Sequence, residues 1–389
     1  MAYPVIAGAL HTQTKGDQPM RIPYAKVWIL LLFTLLANGC SFTRFEKPTI
    51  EEMGFISIMG FDYIDAEKMK TVVSVLKATP NLKETHQIFT SNVSLPHEAL
   101  MVLPTKSEKT IVPQQMRAVL FSEEFATKRG LFQTVKGLYR DPRIGDNVLV
   151  AIVKGNVEEL MSTKYQRAPE LGTYINDLLR PRQETAFHPF TTIHDFIYDT
   201  TSGTADASLP FIEKKENKIQ ITKVAVLKDG KIAEYLSPKE GNAIQTLSNN
   251  KKLPSMYLEV AEKGKREKVV LHYIQNKTAI SSNGDLQSPV FNIDIRLQAT
   301  VLGYTGKRNL EETEQRQQLE KELAEKIKAI TAATLLKLQK KQLDPAGLTE
   351  RLRMHYRGKW KKQYGEKALQ NATYRITVQV EIMGVGTLI

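Results

Sequence analysis

The sequence predicts an α+β protein, built as three mixed domains behind a leader, with sheets that carry their helices on one face. Three observations predict it. In the first half, short apolar runs that read as strands alternate with helical segments, the pattern of a mixed sheet with helices packed on it. In the last third, two alternating strands flank a long amphipathic helix. Between these parts, Asp229-Gly230 joins two alternating runs, a strong hairpin signal. The expected boundaries are a leader over 1–39, a tether over 40–48, an N-terminal α+β domain over 49–205, a small middle domain over 206–264 and a C-terminal α+β domain over 265–389.

The elements follow in order. Gly54-Phe55-Ile56-Ser57-Ile58-Met59-Gly60-Phe61-Asp62 reads as a strand with two glycines. The β-branched run Thr71-Val72-Val73-Ser74-Val75-Leu76 reads as its hairpin neighbour. The polar stretch 81–94 reads as a loop. A strand is expected over 115–120, followed by a helical segment with Ser122 as its N-cap. A helix over 131–139 stops before Asp141-Pro142. The continuous apolar run 148–153 is a buried strand. Small polar residues over 200–206 read as a linker or loop at a domain boundary. The runs 219–227 and 231–236 form the hairpin, and Ser237 caps a helix with Pro238 in its first position.

The last third reads most cleanly. Phe291, Ile293, Ile295, Leu297, Ala299 and Val301 alternate with polar residues, as in a half-buried strand. Asn309 with Glu312 predicts a capping box at the head of a long helix, whose apolar face is Leu319, Leu323, Ile327, Ile330 and Leu338. Asp344-Pro345 stops it. Leu348, Leu352, Tyr356 and Trp360 suggest a second helix, and Tyr374, Ile376, Val378, Val380 and Ile382 a final strand.

One stretch, 27–37, is apolar enough to meet a bilayer, yet it is about half the roughly 20 residues of a spanning helix. It matches the apolar region of a signal peptide, with Arg21 and Lys26 as the positive flank before it. Small residues and the only cysteine follow. Leu36-Ala37-Asn38-Gly39-Cys40 resembles the bacterial lipobox, with Ala37 where that pattern favours Leu. Residues 1–39 therefore read as leader and lipoprotein signal peptide, with translation starting at Met1 or Met20, and Cys40 as the lipidated residue. A single cysteine forms no internal disulfide, and lipidation consumes a thiol that would otherwise be reactive. The net charge of +12 stays mostly outside the leader, and for a membrane-tethered chain basic residues are a natural second anchoring signal.

The catalytic motifs sought are missing. The chain has no Gly-x-x-x-x-Gly-Lys-Ser/Thr loop and no Gly-x-Ser-x-Gly elbow. Its seven histidines are scattered. Only His188 and His194 lie close, at a spacing that suits neither a helical face nor a zinc pair, although Asp195 could orient His194. Glu51-Glu52, Glu123-Glu124 and Glu158-Glu159 read as solvated faces, because neighbours on a helix point apart. No catalytic, cofactor-binding or metal residues are expected. Arg351, Arg353, Arg357, Lys359, Lys361 and Lys362 form a basic run interleaved with Tyr356 and Trp360. Its alternatives are a surface for anionic lipid, a surface for an acidic partner, or a basic helix face with Trp360 in the core. Nucleic acid is not expected.

Taken together, the segments resemble the C subunit of bacterial spore germinant receptors, the Ger(x)C lipoprotein family. The resemblance runs from Cys40 to about Gly384. It rests on Ile50-Glu51-Glu52-Met53-Gly54-Phe55 with Gly60 and Asp62, then Val119-Leu120-Phe121-Ser122-Glu123-Glu124-Phe125-Ala126 and Gly130-Leu131. Tyr139-Arg140-Asp141-Pro142-Arg143-Ile144 leads into Val150-Ala151-Ile152-Val153-Lys154-Gly155. Val224-Ala225-Val226-Leu227-Lys228-Asp229-Gly230-Lys231, Leu236-Ser237-Pro238 and Leu343-Asp344-Pro345-Ala346-Gly347-Leu348 follow, with Trp360 last. Ser41-Phe42 departs from the Trp-Asp often found after the cysteine. The resemblance implies three α+β domains, no catalysis, and assembly with integral membrane A and B subunits at the spore inner membrane, where nutrients trigger germination. The competing readings are a solute-binding lipoprotein of a transporter, which expects two lobes around a cleft, and a lipid-anchored cell-wall hydrolase.

Overall fold

Two sheets account for the strands among the described residues. The computed structural model describes residues 48–76, 86–165, 170–182, 187–262 and 265–386. In the first sheet, β1 (Met53–Tyr63) turns at Asp65, whose carboxylate accepts the amides of Glu67 and Lys68, and returns antiparallel as β2 (Met69–Leu76). β3 (His86–Val93) continues antiparallel at the edge. The chain then crosses through α1 (Pro96–Val102) to β4 (Thr110–Val112), which pairs with the start of β1. β5 (Ala118–Ser122), β6 (Leu149–Val153) and β7 (Ser208–Lys215) extend the sheet in parallel from β1. β8 (Lys218–Lys228) and β9 (Lys231–Leu236) finish it antiparallel, for the order β3-β2-β1-β5-β6-β7-β8-β9.

The helices between these strands are α2 (Glu123–Lys128), α3 (Phe132–Tyr139), α4 (Val157–Ser162), α5 (Leu171–Leu179) and α6 (Ile193–Ser202). They cover both faces of the sheet, so the expectation of helices on one face is corrected here. On one side, Phe61 and Phe121 stack at 5.3 Å, and Phe125 of α2, Val135 of α3 and Phe196 of α6 close the core over them. On the other, Ile58, Leu120 and Ala151 meet Leu160 and Met161 of α4 and Ile175 of α5. This explains why β5 and β6 are apolar without alternation: every residue of both strands is buried, as parallel strands covered on both faces require.

The second sheet keeps the expected order of strand, helices and final strand from β13 onward, behind strands the sequence did not announce. α7 (Pro238–Leu247) opens on a capping box in which Ser237 and Glu240 accept each other's amides, with Pro238 at its start. β10 (Lys252–Leu253) and β11 (Met256–Glu262) both pair with β12 (Lys265–Ser282), which pairs antiparallel with β13 (Val290–Tyr304). The long helix α8 (Thr313–Gln339), then α9 (Thr349–Arg353) and α10 (Lys362–Gln370), lead to β14 (Thr373–Val385), parallel to β13. Leu319, Leu323 and Ile327 of α8 pack on Ile293, Ile295 and Leu297 of β13, while Asn292, Asp294, Arg296 and Gln298 face solvent.

Several local expectations change. The stretch 81–94 is not all loop. Its described part holds β3, whose Phe89, Ser91 and Val93 point inward. Residues 206–264 do not form a sheet of their own: β7, β8 and β9 belong to the first sheet, and β10 and β11 to the second. Val224, Val226 and Leu236 pack into the same core as β13 and α8, which joins the two sheets. Thr200–Ser202 complete α6, and Gly203 (φ 72°) ends it in the left-handed conformation that favours glycine. Asn309 and Glu312 do interact, at 3.1 Å, but α8 begins one turn later, with Glu312 at its N-cap. Leu348 to Trp360 is not one helix: α9 stops at Arg353, and Gly358 at φ 140° lies in a conformation a helix does not use.

Candidate functional site

Cys40, the expected lipidation site, and the apolar run 27–37 lie outside the described residues. Among the described residues, no helix is long and apolar enough to cross a membrane. Nor does any group of three or more His, Cys, Asp or Glu side chains stand ready for a metal ion.

The remaining sequence candidates have local partners. His188 is buried, and burial holds its imidazole below the usual histidine range. His194 meets Tyr139 on the surface, Oη to Nδ1 3.3 Å. Asp195 does not orient His194. It accepts the Thr192 amide at 3.0 Å in the capping box of α6. Glu124 pairs with Lys128, Glu158 with Lys70 at 2.8 Å and Glu159 with Lys214 at 2.7 Å.

The basic run divides. Arg353 forks onto Glu350 within α9, and Lys362 turns inward, 3.1 Å from both Asp206 and Asp229. Arg357, Lys359 and Lys361 are exposed on the connection to α10, beside the exposed Met354. Tyr356, Trp360 and Tyr364 brace that connection as a cluster of rings 5.4–6.1 Å apart. Trp360 is half-buried and donates its indole N–H to the Gly203 carbonyl at 2.9 Å. The run therefore combines a structural end, Trp360 and Lys362, with an exposed cationic tip.

A buried polar network lies under this tip and holds the two halves of the fold together. Asp344 is fully enclosed. Its carboxylate accepts the amides of Leu348 at 2.8 Å and Thr349 at 2.7 Å and so caps α9. The Asp344 amide donates to Asp206 Oδ2, and the Asp206 amide to the Asp344 carbonyl. The Thr349 hydroxyl lies within bonding distance of both the Thr204 carbonyl and Asp344 Oδ2. Burial pushes the Asp344 carboxyl up to about 6, against its hydrogen bonds, with the Asp206 charge adding to the rise. Burial likewise lifts Asp199 of α6 to about 6, with Asp195 and Asp206 contributing. In the sequence Asp344 reads as a helix stop and as part of a family segment, not as a cap. The available signal was an acidic residue placed a few positions ahead of a second helix.

A second cap lies in β1. Asp62 accepts the amides of Val157 at 2.7 Å and Glu158 at 3.0 Å, the first turn of α4. Gly60, two residues earlier on the same strand face, leaves room for Val157 to sit down.

Known proteins match this arrangement along its length. One family model, the spore germination protein N-terminal domain, matches residues 46–214, and a second, spore germination B3/GerAC like, C-terminal, matches 222–386. The chain belongs to the Ger(x)C family of spore germination proteins. Spore germination protein GerQC of Bacillus cereus is 23% identical over 93% of this chain and 99% of its own length. The putative spore germination protein YfkR of Bacillus subtilis (strain 168) is 22% identical over 82% of this chain and 85% of its own. The crystal structure of the GerBC protein superposes with a TM-score of 0.54 at 13% identity, covering 84% of this chain and 96% of that one, which shows the shared fold. Several segments through which the sequence resembles the Ger(x)C family do structural work here: Gly60 and Asp62 seat α4, Ser122 caps α2, Asp229-Gly230 turns β8 into β9, and Asp344 caps α9.

Proposed function

We propose that this chain is a non-enzymatic, lipid-anchored subunit of a spore nutrient germinant receptor. Lipid on Cys40 holds it to the outer face of the spore inner membrane, where it assembles with integral membrane A and B subunits. The observation that carries this reading is the tandem family match, which spans both sheets. The polar clusters described above support a structural role: each caps a helix or joins two elements. The exposed cations Arg357, Lys359 and Lys361 suit a protein held close to an anionic surface. A solute-binding lipoprotein expects two α/β lobes, whereas the second sheet is mainly antiparallel and has its long helix on one face.

Changing Cys40 to alanine in spores tests the reading. The expected result is transfer of the protein from the membrane to the soluble fraction, with nutrient-triggered germination lost or strongly slowed. Retention on the membrane with unchanged germination defeats it, as does a purification from spores that recovers no integral membrane partner.

A further inference from the structure

A cavity of about 360 Å³ opens between α7, β11 and α8, away from both helix caps and from the basic tip. Its walls are apolar: Phe187, Met256, Leu258, Ile327 and Ile330. Gly241 shapes one wall, because any side chain there would collide with the Phe187 carbonyl and push that segment off α7. The volume lies within the usual range for small-molecule sites, which are mostly apolar with a few placed polar groups.

The polar groups here have a definite pattern. Asn242 lines the cavity, and its side-chain carbonyl oxygen is buried without a hydrogen-bond donor. An unpaired buried acceptor is costly, so a donor that meets this oxygen as the Asn242 side chain turns toward the cavity gains a hydrogen bond. Thr246 and Thr331 also line the cavity. Each spends its hydroxyl proton on a carbonyl of its own helix, Asn242 at 2.8 Å and Ile327 at 2.9 Å, which leaves the oxygens free to accept. The interior thus offers acceptors. A cation stands at the rim, where the Lys239 ammonium lies 5.9 Å from the centre of the Tyr257 ring.

We propose that this cavity is a binding site for a small, mainly apolar acid that also carries one N–H or O–H donor. The apolar body fills the space between Met256, Leu258 and Ile327. The donor satisfies Asn242 Oδ1, and the acid group faces Lys239. This assignment is independent of the receptor reading.

Indole-3-propionate supplies all three features, and its 1-methyl analogue lacks only the donor. Calorimetric titration of the full chain with each is the test. Indole-3-propionate should bind at one saturable site, and methylation should weaken it roughly tenfold, the equivalent of about 1.4 kcal/mol. Asn242→Leu should remove the difference between the two probes, a change that a merely structural Asn242 would not produce. Ile330→Trp, at a partly exposed position on the cavity wall, should abolish binding of both while leaving the circular dichroism spectrum unchanged. The proposal is overturned by no saturable binding at millimolar concentration, by equal affinity for the two probes, or by unaltered binding to a folded Ile330→Trp chain.

Discussion

Replacing Asp344 with alanine should destabilise the folded chain by about 3–5 kcal/mol, because it leaves two buried amides, those of Leu348 and Thr349, without acceptors and opens a void at the joint between the sheets. Asparagine should cost less, about 1–2 kcal/mol near pH 4.5, because it resembles the protonated acid. The Thr349 hydroxyl has one proton and two acceptors, Thr204 O and Asp344 Oδ2. A protonated Asp344 resolves the conflict by donating to Thr349 Oγ1 while that hydroxyl donates to Thr204. Asparagine reproduces this donation but turns an NH2 group toward the Thr349 amide.

The pH dependence follows from the raised carboxyl. Its ordinary value is 3.8 and its folded value about 6, so between them the folded state holds the proton more tightly than the unfolded chain. Asp344 therefore contributes most to stability below pH 4, and this contribution fades as the pH climbs through 6. The stability of the wild-type chain relative to Asp344→Asn should fall by about 2 kcal/mol from pH 4.5 to pH 7.5, which closes the gap or reverses it in favour of asparagine. Asp141 and Glu350, held low by Arg143 and Arg353, drive the wild-type trend the opposite way, so the gap and not the absolute stability is the readout. Urea unfolding at the two pH values measures it. A gap that stays constant or widens with pH contradicts the account.

The parts of the fold that were legible in the sequence are those fixed by neighbouring residues. The Asp229-Gly230 turn has positive φ at both positions, 51° and 80°, which an Asp-Gly pair tolerates where most pairs do not. The Ser237 capping box and the alternation along β13 are equally local. The failures arise where long-range pairing decides. β3 is polar because it lies at an edge with a partner on one side only, so little of it needs to be apolar. The spacing of Leu348, Leu352, Tyr356 and Trp360 is helical, but Trp360 is drawn to the Gly203 carbonyl, 157 positions away. Asp344 and Asp206 are 138 positions apart, and neither has a local feature that announces the other. The cavity under α7 draws its walls from four separate stretches of chain and left no pattern to read. The proposed lipidation site is the converse case: Cys40 is read from its neighbours in sequence alone.

Gly60 and Asp62 form the second joint where a large effect is expected. A Cβ at Gly60 would lie 3.2 Å from the Val157 Cβ and 3.3 Å from the Met161 sulfur, and still closer to a Val157 methyl. Valine at this position must lift α4 off the sheet, at about 3 kcal/mol or more. Asp62→Ala removes the acceptor for the first two amides of the same helix and should cost about 2–4 kcal/mol. The two effects should not add. Once valine has displaced α4, its amides no longer reach Asp62, so the double variant should be less destabilised than the sum by more than about 1 kcal/mol. A size exchange tests the steric half separately. Val157→Ala removes the methyl that collides, so it should recover much of the stability lost in Gly60→Ala while costing stability in the wild-type background. Urea midpoints for the single and paired variants supply both comparisons. Strict additivity, or no rescue by Val157→Ala, means that Gly60 and Asp62 act separately and that this strand does not seat α4 as a unit.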